Sequence, residues 1–201
     1  MADRPGKQKT GTEKKMTYPI FVYGHPVLRK VAQEIDRDYP DLDRFIEDMF
    51  ETMYKSDGLG LAAPQVGKSI RLFVIDGEPL AEDHPEMKEF KQAFINPQVI
   101  ERKGARVPMN EGCLSLPGLH EEVDRESEIH IQYYDRQWNF HDEVYTGYKA
   151  RVVLHEYDHL DGILFPDRLS PLRRRLLKGK LNDISKGKFE ATYRTVLPNG
   201  R

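Results

Sequence analysis

The run His155-Glu156-Tyr157-Asp158-His159 constrains this chain more than any other feature, because of the residues around it. It lies in TGYKARVVLHEYDHLDG, where Val152, Val153, Leu154 and Leu160 make a helix too apolar to sit on a surface. Thr146 stands where an N-cap belongs, and Gly162 where a glycine stops a helix. Two histidines four residues apart fall on one helical face, so both rings can reach a single metal ion. Glu156, one position after the first histidine, can reach a water at that metal without occupying it. That is the place of a general base which takes a proton from water and later returns it to a leaving nitrogen. The competing reading is a pair of core histidines satisfied by hydrogen bonds, and it leaves two rings to be explained inside an apolar helix.

A catalytic metal site usually takes three protein ligands and keeps one position open. Metzincin zinc proteases continue this pattern to a third histidine, but here Phe165 stands at that position. A downstream glutamate would have to be Glu190, in a polar stretch. Upstream, Glu111-Gly112-Cys113-Leu114-Ser115-Leu116-Pro117 offers Cys113. Gly112 allows close backbone approach, the apolar neighbours shield the thiol, and coordination would deprotonate it. Two other readings stand beside this one. Cys113 can be a small buried hydrophobe, or a nucleophile served by a distant histidine; the latter leaves the paired histidines unexplained.

The single cysteine among 201 residues excludes an internal disulfide and suits a reducing compartment. No apolar run approaches the roughly 18 residues of a membrane span, so no membrane partner is expected. Residues 1–15 read as a flexible polar tail without a secretory signal, 16–185 as a single catalytic domain, and 186–201 as a basic, irregular tail. The formal net charge of −2 hides an asymmetry, since residues 168–201 hold ten Lys/Arg and two Asp/Glu. Such a segment is either a solvated helix face or a docking element for an anionic partner such as ribosomal RNA.

The spacing of Leu42, Phe45, Ile46, Met49 and Met53 predicts a helix over 41–55. Strands are expected at 70–75, 93–100, 104–109, 128–134 and 138–145, with turns at Gly104 and Arg136-Gln137, an acidic surface loop over 77–91 and a basic helix over 171–184. The pattern is α+β. The segment GLGLAAPQVGK (58–68) invites a phosphate-loop reading, but Ala62 stands where that motif needs glycine, and the segment follows a helix. No nucleotide cofactor is expected. A loop with exposed backbone groups suits an extended peptide instead, and it carries one well-placed amide, Gln65.

Together, Gly58-Leu59-Gly60-Leu61-Ala62-Ala63-Pro64-Gln65, Glu111-Gly112-Cys113-Leu114-Ser115 and His155-Glu156-Tyr157-Asp158-His159 resemble, in this order, the three motifs of the peptide deformylase family. Tyr157, aromatic where the family often has an aliphatic residue, is the one mild departure. The resemblance implies removal of the formyl group from N-terminal formylmethionine of new polypeptides. It implies Cys113, His155 and His159 as metal ligands, Glu156 as general base and acid, and Gln65 with the Leu114 N–H as oxyanion donors. Leu59, Gly60 and Gly112 would bind substrate backbone, and Glu111 would pair with Arg125. Fe²⁺ is implied as the metal, with Zn²⁺, Ni²⁺ or Co²⁺ able to replace it, and the bacterial cytoplasm as the location. The implied fold is antiparallel β-strands packed around a central buried helix that carries the HExxH motif. Two readings from other classes remain open here: a zinc endopeptidase of another HExxH family, and a non-catalytic, metal-stabilised protein bound to the ribosome through the basic segment.

Overall fold

The computed structural model describes residues 15–200, so the N-terminal tail expected over 1–15 lies, except for Lys15, outside the described residues. The elements run β1 (Ile20–Phe21), α1 (Leu42–Lys55), β2 (Gly60–Ala62), β3 (Leu72–Asp76), β4 (Lys91–Gly112), β5 (His120–Tyr134), β6 (Phe140–Thr146), α2 (Gly147–Leu160), α3 (Pro171–Ser185) and β7 (Thr195–Val196). Strands β2 to β6 form one antiparallel sheet whose spatial order is their chain order. β1 and β7 make a separate parallel pair, with Ile20 opposite Thr195.

β3 explains the layering. Successive side chains of a strand point to opposite faces. Leu72 and Val74 pack with Phe45, Ile46, Met49 and Met53 of α1, whereas Phe73 and Ile75 pack with Ala150, Val153 and Leu154 of α2. A strand covered on both sides favours apolar residues on both faces, which accounts for the unbroken run Leu72-Phe73-Val74-Ile75. A third cluster joins Leu177, Leu181 and Ile184 of α3 to Leu116, Leu119 and Phe165.

The structure departs from the sequence expectations in three places. Gly104 does not reverse the chain: β4 is one 22-residue strand, and Gly104 (φ 78°) lies in a bulge between Lys103 and Arg106. β5 begins at His120 rather than near residue 128. Its inward-facing residues there include Glu121 and Arg125, so charge hides the alternation that a hydrophobic pattern would reveal. The acidic stretch 77–91 is pinned by buried Met87 and Phe90 and is not wholly a surface loop.

Residues 186–200, expected as an irregular tail, hold one short strand, β7, and are otherwise irregular. They return to the body, where the Ile20 N–H donates to the Arg194 carbonyl at 2.8 Å and the Val22 N–H to the Val196 carbonyl at 3.1 Å. The partner strand lies at the opposite end of the described chain, and local patterning carries no sign of such a pairing.

Thr146 occupies the N-cap of α2 without a capping hydrogen bond from its side chain. Gly162 ends the helix region at φ 71°, and a Cβ there would lie 2.8 Å from the Arg29 backbone. Conformation and space both require glycine. Phe73 is fully buried and stacks on Phe94 with ring centroids 4.6 Å apart. Phe73→Ala is expected to cost about 3–5 kcal/mol in denaturant unfolding. A loss below about 1 kcal/mol would contradict the role given to β3 as the shared layer.

Candidate active site

Three segments meet where the end of β4 faces α2. All expected site residues except His159 line one cleft of about 350 Å³. His159 lies just beneath it, 1% exposed, with Nε2 at 3.3 Å from the Cys113 sulfur. The Cys113 Sγ and a ring nitrogen of each of His155 and His159 lie within 4.8 Å of one another. Among the described residues this is the group of His, Cys, Asp and Glu side chains close enough to share an ion. One soft sulfur and two imidazoles make a donor set that fits a divalent transition metal. Glu190 is exposed and away from this group, and Phe165 is 2% exposed within the third core cluster, its ring stacked on His155.

His155 is oriented from behind. Its Nδ1 meets Glu111 Oε2 at 2.8 Å, which leaves Nε2 for the cleft. Glu111 in turn is gripped by Arg125 through Nε at 2.6 Å and Nη2 at 2.9 Å, and by Arg151 Nη1 at 2.8 Å. The pairing expected between Glu111 and Arg125 is therefore present, and both groups are buried. Burial alone would raise the Glu111 carboxyl, but hydrogen bonds from Arg125 and His155 hold it well below the usual carboxylate range. Arg125 also bonds Asp158 at 2.7 Å, and Asp158 receives Arg168 Nε at 3.0 Å. The aspartate inside the histidine motif thus anchors α2 to β5 and to the segment before α3.

Burial disfavours charge on both imidazoles, yet hydrogen bonds to Cys113 and Glu111 hold His155 well above the ordinary histidine value. Burial, reinforced by the charge on His155, holds His159 well below it. Glu156 is 4% exposed, and its Oε2 has no hydrogen-bond partner among the described residues. Desolvation pushes its carboxyl up to about 7, against the lowering influence of His155. Gly60 makes room for it, since a Cβ there would stand 2.4 Å from Glu156 Oε1.

Gln65 is 2% exposed in a short 3₁₀ turn after β2. Its Oε1 accepts from the Ala62 N–H at 2.8 Å, which turns its Nε2 toward Ser115 Oγ at 3.2 Å and the Cys113 sulfur at 3.5 Å. The Cys113 carbonyl accepts from the Leu116 N–H at 2.8 Å. Because a trans peptide sends its C=O and N–H in opposite directions, the Leu114 N–H points the other way. Leu59 stands just before β2 and Gly60 at its start, β2 being an edge strand of the sheet, and Gly112 ends β4.

Four participants escaped the sequence reading. Asp158 could have been found from its fixed place inside the motif. Arg151 and Ser115 are buried polar side chains in segments already singled out, so only their partners were hidden. Tyr193 is different: it lines the cleft from the C-terminal segment and donates to the Leu114 carbonyl at 2.8 Å. Burial, then the neighbouring Cys113, raises its phenol to about 12, so its O–H remains a donor near neutral pH.

A family model described as polypeptide deformylase matches residues 17–175. A peptide deformylase of Christiangramia forsetii is 48% identical over 193 residues, covering 92% of this chain and 98% of that protein. The crystal structure of peptide deformylase from Thermus thermophilus is similar at a TM-score of 0.74 and 42% identity, covering 86% of this chain and 99% of that one. A peptide deformylase from Synechococcus elongatus, solved in complex with actinonin, gives a TM-score of 0.72 and 35% identity over 89% of this chain and 92% of that one. The chain belongs to the polypeptide deformylase family and has its fold.

Proposed function

We propose that the family reaction, hydrolysis of the formyl group from the N-terminal formylmethionine of a new polypeptide, is carried here by Cys113, His155 and His159 as metal ligands and by Glu156 as base and acid. One observation carries this reading: three ligand atoms within 4.8 Å of one another, beside a buried carboxylate oxygen that has no partner among the described residues. A structural metal site needs no such free carboxylate. In this reading α2 is the central element of the fold, since it bears both imidazoles and Glu156.

A divalent cation held by Cys113, His155 and His159 would supply Lewis-acid polarisation and make water a nucleophile near neutral pH. Glu156 accepts a proton from the water as its oxygen attacks the formyl carbon. It then delivers that proton to the departing amine nitrogen, so that formate and a free amino terminus leave together. The oxygen of the tetrahedral intermediate is met by the Gln65 amide, whose orientation the Ala62 bond supports, and by the Leu114 N–H. The substrate backbone lies along Leu59, Gly60 and Gly112, using an edge strand as peptides commonly do.

We assign Fe²⁺ as the resident metal on the family resemblance; the Cys/His₂ set also accommodates Zn²⁺, Ni²⁺ and Co²⁺. A bacterial cytoplasmic setting agrees with the unpaired thiol and the bacterial relatives. No helix of the described residues is long and apolar enough to cross a membrane. For the basic segment, exposed Arg174, Arg175 and Lys178 on α3 support contact with the ribosome surface.

Formate release from a formyl-Met peptide by anaerobically purified, iron-loaded protein tests the activity. Glu156→Ala should retain the metal and lose at least about 100-fold in kcat, whereas loss of metal would show that its role is misassigned. Gly60→Ala should displace the Glu156 carboxylate and lower kcat about 100-fold with the fold intact; near-parental turnover would contradict the tight fit. Arg174→Glu with Lys178→Glu should weaken co-sedimentation with ribosomes, more so at low salt. Unchanged co-sedimentation would remove the ribosome contact.

A further inference from the structure

Tyr193 reaches the loop of Cys113 from beyond residues 17–175, the part of the chain that the family model matches. Its hydroxyl donates to the Leu114 carbonyl at 2.8 Å. The carbonyls on either side are also taken. That of Cys113 accepts from the Leu116 N–H at 2.8 Å, and that of Ser115 accepts from the Tyr23 N–H at 2.8 Å. Three consecutive carbonyls of the loop are therefore each held by a different donor: one from within the loop, one from just after β1 and one from just before β7.

The segment that carries Tyr193 is itself tied down. β7 pairs with β1, the Arg194 guanidinium donates to the Thr17 carbonyl, and Phe189 and Leu197 pack on the third core cluster beside Cys113. Fixing a carbonyl fixes the plane of its whole peptide unit. Holding the Leu114–Ser115 unit limits how far the preceding Cys113–Leu114 unit can rotate, and that unit contains the Leu114 N–H.

We propose that Tyr193 is a positioning residue for the deformylase reaction. Its hydroxyl keeps the turn Cys113-Leu114-Ser115 in the orientation that aims the Leu114 N–H at the intermediate and the Cys113 sulfur at the ligand cluster. The inference rests on the roles proposed above for Leu114 and Cys113. It gives the C-terminal segment a part in the chemistry, in place of the loose tail that its composition suggests.

Tyr193→Phe removes the hydroxyl and leaves the ring. A donor that matters mainly in the transition state changes kcat more than KM. With a formyl-Met peptide, kcat should fall about five- to tenfold while KM stays within about twofold. Metal content should be unchanged and the melting temperature should stay within about 3 °C of the parent. A second readout needs no turnover. The chain has one cysteine, so alkylation of the metal-free protein reports Cys113 alone. Tyr193→Phe should raise its rate about threefold or more by loosening the turn.

Three results would overturn the proposal. They are an unchanged kcat, a rise in KM at constant kcat, which would mean that Tyr193 touches substrate, and an activity loss that only follows a lower melting temperature. If the parent protein releases no formate, the deformylase reading fails by itself. The alkylation rates of parent and variant then decide whether Tyr193 holds the loop.

Discussion

The Glu111 carboxylate is the contact on which the rest of the site depends. It is buried at the end of β4, where it accepts from Arg125 of β5 and from Arg151 of α2 and meets the His155 ring on α2. Placing one carboxylate and two guanidinium groups in a core carries a large desolvation cost, and such a cluster adds little to stability compared with apolar packing. Its effect is orientation. Removing one partner would strand the others without compensation, at a cost of about 3–5 kcal/mol, so the three elements have little freedom to shift. Gly112 and Cys113 follow Glu111 directly in the chain, and their position is inherited from it.

This dependence also shows why parts of the site were legible in the sequence and others were not. The histidine helix announces itself because its chemistry is local: two rings at helical spacing, with an acid between them, in an apolar setting. Cys113 could be reached by asking what third ligand the histidines require, and Gln65 by the motif around it. The first half of β5 was invisible for a physical reason. Its inward positions hold Glu121 and Arg125, whose burial depends on Arg173 of α3 and on Glu111 across the sheet on β4. No hydrophobicity pattern registers a charged residue that is buried because of a remote partner. Gly104 misled in the opposite sense, since a glycine with positive φ serves a bulge as readily as a turn.

The orientation of individual groups was likewise beyond the sequence. That Gln65 belongs to the site could be read; that its oxygen is committed to Ala62, which decides which end of the amide faces the cleft, could not. Similarly, Asp158 looks like another acid beside the ligands, yet it accepts from Arg125 and Arg168 and faces away from the cleft chemistry. The motif H-E-Y-D-H thus combines two jobs on one helix. His155, Glu156 and His159 serve the cleft, while Asp158 fastens the helix that carries them.

The parallel pairing of β1 with β7 has a consequence for how this molecule comes into being. Thr17 and Arg194, joined by a hydrogen bond, are 177 residues apart in the chain. A ribosome adding about 5–20 residues per second exposes β1 well before its partner exists, so β1 must wait with its edge unpaired until β7 emerges. The wall of the cleft that Tyr193 supplies is then made after Cys113, His155 and His159. Until the segment that carries Tyr193 has paired with β1, the loop of Cys113 lacks one of the three donors that hold its carbonyls.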